Sequence, residues 1–102
     1  SVILLITISG PITGIQDYMK NFDKAEKELK SVGFSVVNPA KVLSQMPADT
    51  EYEEYMDMAM MMLSMCDSIY MLKGWEKSAG ANREYGYALA SDITIMREIK
   101  EK

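Results

Sequence analysis

Residues 2–8 read Val2-Ile3-Leu4-Leu5-Ile6-Thr7-Ile8, and Ser9-Gly10-Pro11 stops the run. A short, nearly continuous apolar stretch closed by turn residues marks a strand buried on both faces, as in a parallel sheet. Downstream, Ile15, Tyr18, Met19, Phe22, Ala25, Leu29 and Val32 recur at steps of three and four, which is a helical period. Asp23/Lys27 and Glu26/Lys30 stand four apart with the acid first, the favourable order on a solvated helix face. Gly33 stops this helix as a C′ glycine does. Phe34 to Val37 is a second short strand, closed by Asn38-Pro39, and residues 40–49 read as a loop. Thr50-Glu51-Tyr52-Glu53 has capping-box spacing, so a helix is predicted from there to about Met65. Ser68 to Leu72 is a third strand and Gly74 to Lys77 a loop. A small-residue helix is predicted from about Ala79 to Ala90, and a fourth strand over Ile93 to Met96. The last six residues are charged but for Ile99 and expected to fray.

The order β-α-β-α-β-α-β predicts an α/β fold with one domain over residues 1–102. Right-handed crossovers leave few topologies. The expected one is a small flavodoxin-like or Rossmann-like three-layer sandwich, with a four-stranded parallel sheet in the order 2-1-3-4. Ligands of such sheets bind beyond the carboxyl ends of the strands, where the chain reverses direction between strands 1 and 3. Ser9–Gly14, Asn38–Pro39 and Lys73–Gly80 are the loops expected there.

Composition narrows the chemistry. The 102 residues carry a net charge of -4, the wrong sign for a protein that tracks nucleic-acid phosphates. The chain has no histidine, which removes histidine acid–base catalysis, Ser-His triads and most zinc sites. Its one cysteine, Cys66, forms no internal disulfide and reads as a small buried hydrophobe in a reducing compartment. No apolar run approaches the roughly 20 residues that span a bilayer. The start has no basic segment before its apolar run, so no signal peptide is expected and the protein is read as soluble and cytoplasmic. Carboxylates, hydroxyls, backbone N–H groups and aromatic rings remain, with no metal and no cofactor expected.

Two segments concentrate those groups. Ser9-Gly10-Pro11-Ile12-Thr13-Gly14 joins a strand to a helix. Its glycines let backbone approach a ligand, and the helix N-terminus offers free N–H groups for a phosphate or sugar hydroxyl. On spacing alone a plain turn fits equally well. The second segment is Gly74-Trp75-Glu76-Lys77-Ser78-Ala79-Gly80-Ala81-Asn82-Arg83-Glu84. Ser78 can cap the helix or turn its hydroxyl toward an anion, and Gly80 keeps the first turn slim. Trp75 either stacks on a base or packs the loop. Tyr85 and Tyr87 line the pocket or a subunit contact, and Arg83 is read as one half of a surface ion pair. By pattern alone Glu84 is a solvated helix acid, as most helical glutamates are.

Ser9 to Gly14, Asn38-Pro39-Ala40 and the run Cys66-Asp67-Ser68-Ile69-Tyr70-Met71-Leu72-Lys73-Gly74-Trp75-Glu76-Lys77-Ser78-Ala79-Gly80-Ala81 with Glu84 resemble the nucleoside 2-deoxyribosyltransferase-like superfamily. The likeness is greatest to a small phage and bacterial branch related to deoxynucleoside 5′-monophosphate N-glycosidases, and it covers nearly the whole chain. It implies cleavage or transfer at the N-glycosidic bond of a 2′-deoxynucleoside or its 5′-monophosphate through a glutamyl-glycosyl intermediate. Glu84 is then the catalytic nucleophile. Ser78 leans toward a phosphorylated ligand, since the nucleotide hydrolases carry a serine there. Ser9, Gly10, Pro11, Thr13 and Gly14 would hold sugar or phosphate together with Gly74 and Gly80, and Asn38 and Trp75 are candidate base neighbours. One departure stands out. Relatives usually carry an aspartate eight residues before the Asp of the Cys-Asp pair, and here that position is Ala59. Asp57 lies two residues away, about 200° around a helix. The alternative is therefore a non-catalytic module that binds or sequesters a nucleotide.

Six of the ten methionines fall between Met56 and Met65. Tyr52, Tyr55, Met56, Ala59, Met60 and Leu63 form one helical stripe, and Met58, Met61, Met62 and Met65 form another on roughly the opposite face. One stripe can cover the sheet. The other is exposed in a monomer, so a homo-oligomer through helix 51–65 is expected, with a loosely packed methionine core as the plain alternative. That helix carries acids and no Lys or Arg, which argues against a membrane surface.

Overall fold

The computed structural model describes residues 4–99. The elements are β1 (Leu5–Ser9), α1 (Tyr18–Ser31), β2 (Ser35–Val37), α2 (Pro39–Leu43), α3 (Tyr52–Ser64), β3 (Ser68–Met71), α4 (Ala79–Ala90) and β4 (Thr94–Arg97). The four strands are parallel and stand in the order β2-β1-β3-β4, as expected. Val2 and Ile3 of the predicted first strand, and residues 100–102 of the expected frayed end, lie outside the described residues.

The strands alternate across the sheet, so each face has its own core. Ile6 and Ile8 pack with Phe22, Ala25 and Leu29 of α1 on one face. On the other, Ile69 and Met71 pack with Leu63 of α3 and with Ala81 and Ala88 of α4. Thr7 pairs with Ile69 and Ser9 with Met71, which puts both hydroxyls on the α3/α4 face. Thr7 is buried with no hydrogen-bond partner for its hydroxyl among the described residues.

β2 starts at Ser35, β3 ends at Met71 and β4 runs from Thr94 to Arg97, each a residue from the expected bounds, the last taking in Arg97 of the end expected to fray. The helices differ from the expectation at three places. Helix α1 begins at Tyr18, not Ile15, because Ile15 closes a turn by donating its N–H to the Ile12 carbonyl at 3.1 Å. Its C-terminus follows the reading: Gly33 at φ 104° donates to the Lys30 carbonyl while Phe34 donates to that of Leu29, a Schellman ending. The predicted loop over residues 40–49 holds a short helix, α2. Asn38 caps it by accepting from the Lys41 N–H at 3.2 Å, and Pro39 takes the first helical position, where its missing N–H costs nothing. Helix α3 starts one residue later than the predicted box, with the Glu54 carboxylate accepting from the Glu51 N–H at 2.9 Å.

Candidate active site

The carboxyl ends of β1 and β3 open into a groove of about 1410 Å³. Its walls come from the loop after β1, from α2 and α3, and from the loop that enters α4. Ser9 ends β1 facing α4. There its hydroxyl donates to Oε1 of Glu84 at 2.5 Å, across 75 residues of sequence. Glu84 itself is only 8% exposed, and what remains faces the groove. No hydrogen bond reaches its second oxygen, and no Lys or Arg pairs with it, among the described residues. Burial pushes the Glu84 carboxyl up to about 7, against a weaker downward pull from the Ser9 hydroxyl. An acid in that state is half ionised near neutrality, which suits a nucleophile or a proton carrier.

Local sequence explains how the walls come so close. A Cβ on Gly10 would stand 2.8 Å from Leu72 Cβ, so only glycine lets the first loop leave β1 over β3. Gly74, at φ 84°, turns the chain out of β3 into a single 3-10 turn over Trp75–Lys77. Ser78 then caps α4, accepting from the Ala81 N–H at 3.2 Å. Its hydroxyl proton stays available to an acceptor in the groove. A Cβ on Gly80 would meet Met56 Sδ at 3.1 Å and the Tyr52 hydroxyl at 3.2 Å, so its absence lets α4 lie against α3.

Of the residues singled out from sequence, Ser9, Gly10, Pro11, Thr13, Gly74, Ser78, Gly80 and Glu84 line this one groove. Three do not. Asn38 is buried and spent: besides capping α2, its amide donates to Asp23 and Glu26 on α1, each at 3.0 Å. Trp75 stacks on Tyr85 with ring centroids 4.5 Å apart and packs against the β3/α4 core, the loop-packing alternative of the two read from sequence. Gly14 forms the turn before α1, at φ 78°. Arg83 makes a two-pronged ion pair with Glu53, at 3.1 and 3.2 Å, as read from sequence. Cys66 is buried, and burial pushes its thiol up to about 11, away from nucleophilic use.

Sequence reasoning missed the opposite wall. Tyr18, Leu43, Met46 and Tyr55 face the groove, and so does Ile15, whose apolar character fits a helix face equally well. Lys73 and Lys77 stand at its edge. Ala59, where the resemblance leads one to expect an aspartate, is on this wall and only 8% exposed. Among the described residues no three His, Cys, Asp or Glu side chains are grouped to hold a metal ion, and no helix is long and apolar enough to cross a membrane.

A four-stranded parallel sheet in the order 2-1-3-4 with helices on both faces is a flavodoxin-like α/β fold. The family described as Domain of unknown function (DUF4406) matches residues 5–97, and the chain belongs to it. No curated protein matches the sequence. Among solved structures, a 2-deoxyribosyltransferase from the psychrotolerant bacterium Bacillus psychrosaccharolyticus shares the fold. Its TM-score is 0.73 at 18% identity, over 95% of this chain and 77% of that one.

Proposed function

We propose that the protein cleaves or transfers at the N-glycosidic bond of a 2′-deoxynucleoside or its 5′-monophosphate, with Glu84 as nucleophile. The observation that carries this reading is the Glu84 carboxylate itself, buried on the groove wall and fixed through one oxygen by Ser9. The other oxygen is left to attack C1′ of a sugar in the groove. The C1′–N bond breaks, its electron pair leaves with the base, and a glycosyl ester remains on Glu84. Water or a second base then attacks C1′ and frees the carboxylate. Ser9 is a positioning residue: its hydroxyl orients the acid and favours its ionised form. Ser78, the first turn of α4 and Lys77 suit a 5′-phosphate. The shared fold with a 2-deoxyribosyltransferase supports this choice of sugar.

The test is incubation of stoichiometric protein with a panel of 2′-deoxynucleoside 5′-monophosphates, followed by chromatography of free base. Release should be lost in Glu84→Gln. Equal release by wild type and variant from every member would overturn the reading. A second reading, binding without turnover, is favoured by Ala59 on the groove wall. Calorimetry that finds nucleotide binding while no member of the panel is cleaved would select it. We also propose that the outer stripe of α3 joins protomers, since Met61 and Met65 are 66% and 61% exposed. Light scattering that finds only monomer would reject this.

A further inference from the structure

The groove has a lopsided supply of acids. Glu84 is the only carboxyl group on its wall among the described residues, and it has no cationic partner there. The other proton donors on the wall are hydroxyls, including those of Tyr18, Tyr52 and Tyr55, and the ammonium groups of Lys73 and Lys77. As classes these are weaker acids than a carboxylic acid by several powers of ten. A neutral nucleobase gathers negative charge as its glycosidic bond breaks and departs readily only when an acid protonates it. Glu84 cannot supply that proton while its carboxylate attacks C1′. A base that already carries positive charge leaves as a neutral molecule and needs no donor.

The same charge answers a second feature of the groove. An isolated carboxylate held in a buried position by a single hydroxyl is costly unless its occupant brings a countercharge. Tyrosine rings on the wall suit a flat cation, which aromatic faces attract. We infer that the groove selects nucleosides and nucleotides whose base is cationic through its glycosidic ring system, such as an N-glycosyl pyridinium or an N7-alkylated purine. This rests on Glu84 acting as the nucleophile. In the first step the Glu84 oxygen bonds to C1′ as the C1′–N bond breaks, and the electron pair neutralises the departing ring. In the second, water adds to C1′, the Glu84 carboxylate is released, and one proton passes to solvent.

The experiment compares 7-methyl-2′-deoxyguanosine 5′-monophosphate with 2′-deoxyguanosine 5′-monophosphate, using wild type and Glu84→Gln and subtracting spontaneous release. A non-cleavable carbocyclic version of each gives Kd apart from the lability of the bond. The expected result is Glu84-dependent kcat/KM at least ~100-fold higher for the cation. Its carbocyclic analogue should also bind about tenfold more tightly to wild type, a preference lost in Glu84→Gln. Two results overturn the inference and leave Glu84 as nucleophile: Glu84-dependent kcat/KM values within about tenfold of each other, or release from the neutral nucleotide alone. A cation preference in Kd that is absent, or that survives Glu84→Gln, overturns it as well. No Glu84-dependent release from either nucleotide removes the nucleophile together with the inference.

Discussion

Replacing Glu84 with glutamine should stabilise the protein at pH 8 and leave its stability almost unchanged at pH 4. Glutamine has the shape of the protonated acid and can still accept from the Ser9 hydroxyl, so the variant mimics the neutral form of the native site. In wild type the Glu84 carboxyl is raised from its ordinary value of 4.5 to about 7, chiefly because it is buried. Between those two values the native state holds a proton that the unfolded chain has released. Stability therefore falls as pH rises through this window, and the loss is complete above the folded value. The full shift corresponds to on the order of 3 kcal/mol, which glutamine would not lose. Urea titrations at pH 4 and pH 8 measure it directly. With a slope of about 1.5 kcal/mol/M, the midpoint of Glu84→Gln should exceed that of wild type by about 2 M at pH 8 and match it at pH 4. Comparing variant with wild type at each pH cancels most other titrations, including that of Glu26, whose partners Lys30 and Asn38 hold its carboxyl below the usual range. Equal midpoints at pH 8 would mean that the carboxylate is well solvated, and the groove geometry argued above would be wrong.

Ser9→Ala removes the hydroxyl that favours the ionised form of Glu84, so the acid limb of kcat/KM for the proposed reaction, expected near pH 7 in wild type, should move to higher pH; a pH–rate profile with an unmoved limb would deny the contact any electrostatic role. Gly10→Ala puts a Cβ 2.8 Å from that of buried Leu72 and should cost ~1–3 kcal/mol in urea unfolding. Asn38→Ala loses the cap of α2 and its two bonds to α1, and a loss of about 1–2 kcal/mol is expected by the same measurement.

What could be read from sequence follows the range of the forces involved. The strands came through because a parallel sheet buries both of their faces, and runs such as Leu5–Ile8 and Ile69–Leu72 record that burial in composition, while their order followed from the β-α alternation and right-handed crossovers. The bounds of α4 came through because Ser78, its cap, acts three residues away. Helix α2 was hidden because Asn38-Pro39 serves two purposes, ending β2 and starting a helix, and the first masked the second. Ile15 was miscounted because an apolar residue facing a ligand groove and one facing a core look alike in a periodicity. The destinations of Asn38 and Trp75 depend on Asp23, Glu26 and Tyr85, partners that no spacing rule identifies. Glu84 by pattern alone was one helical acid among several, and only the resemblance of the surrounding run singled it out.

The bond between Ser9 and Glu84 joins the end of the first strand to the last helix, with most of the chain between them. Individual helices and the β1–β2 pair can form from nearby residues, whereas this contact needs β3 to have inserted beside β1 and α4 to have docked over both. The reaction proposed at Glu84 would thus report complete assembly. During refolding, recovery of the helical signal should precede recovery of any Glu84-dependent reaction.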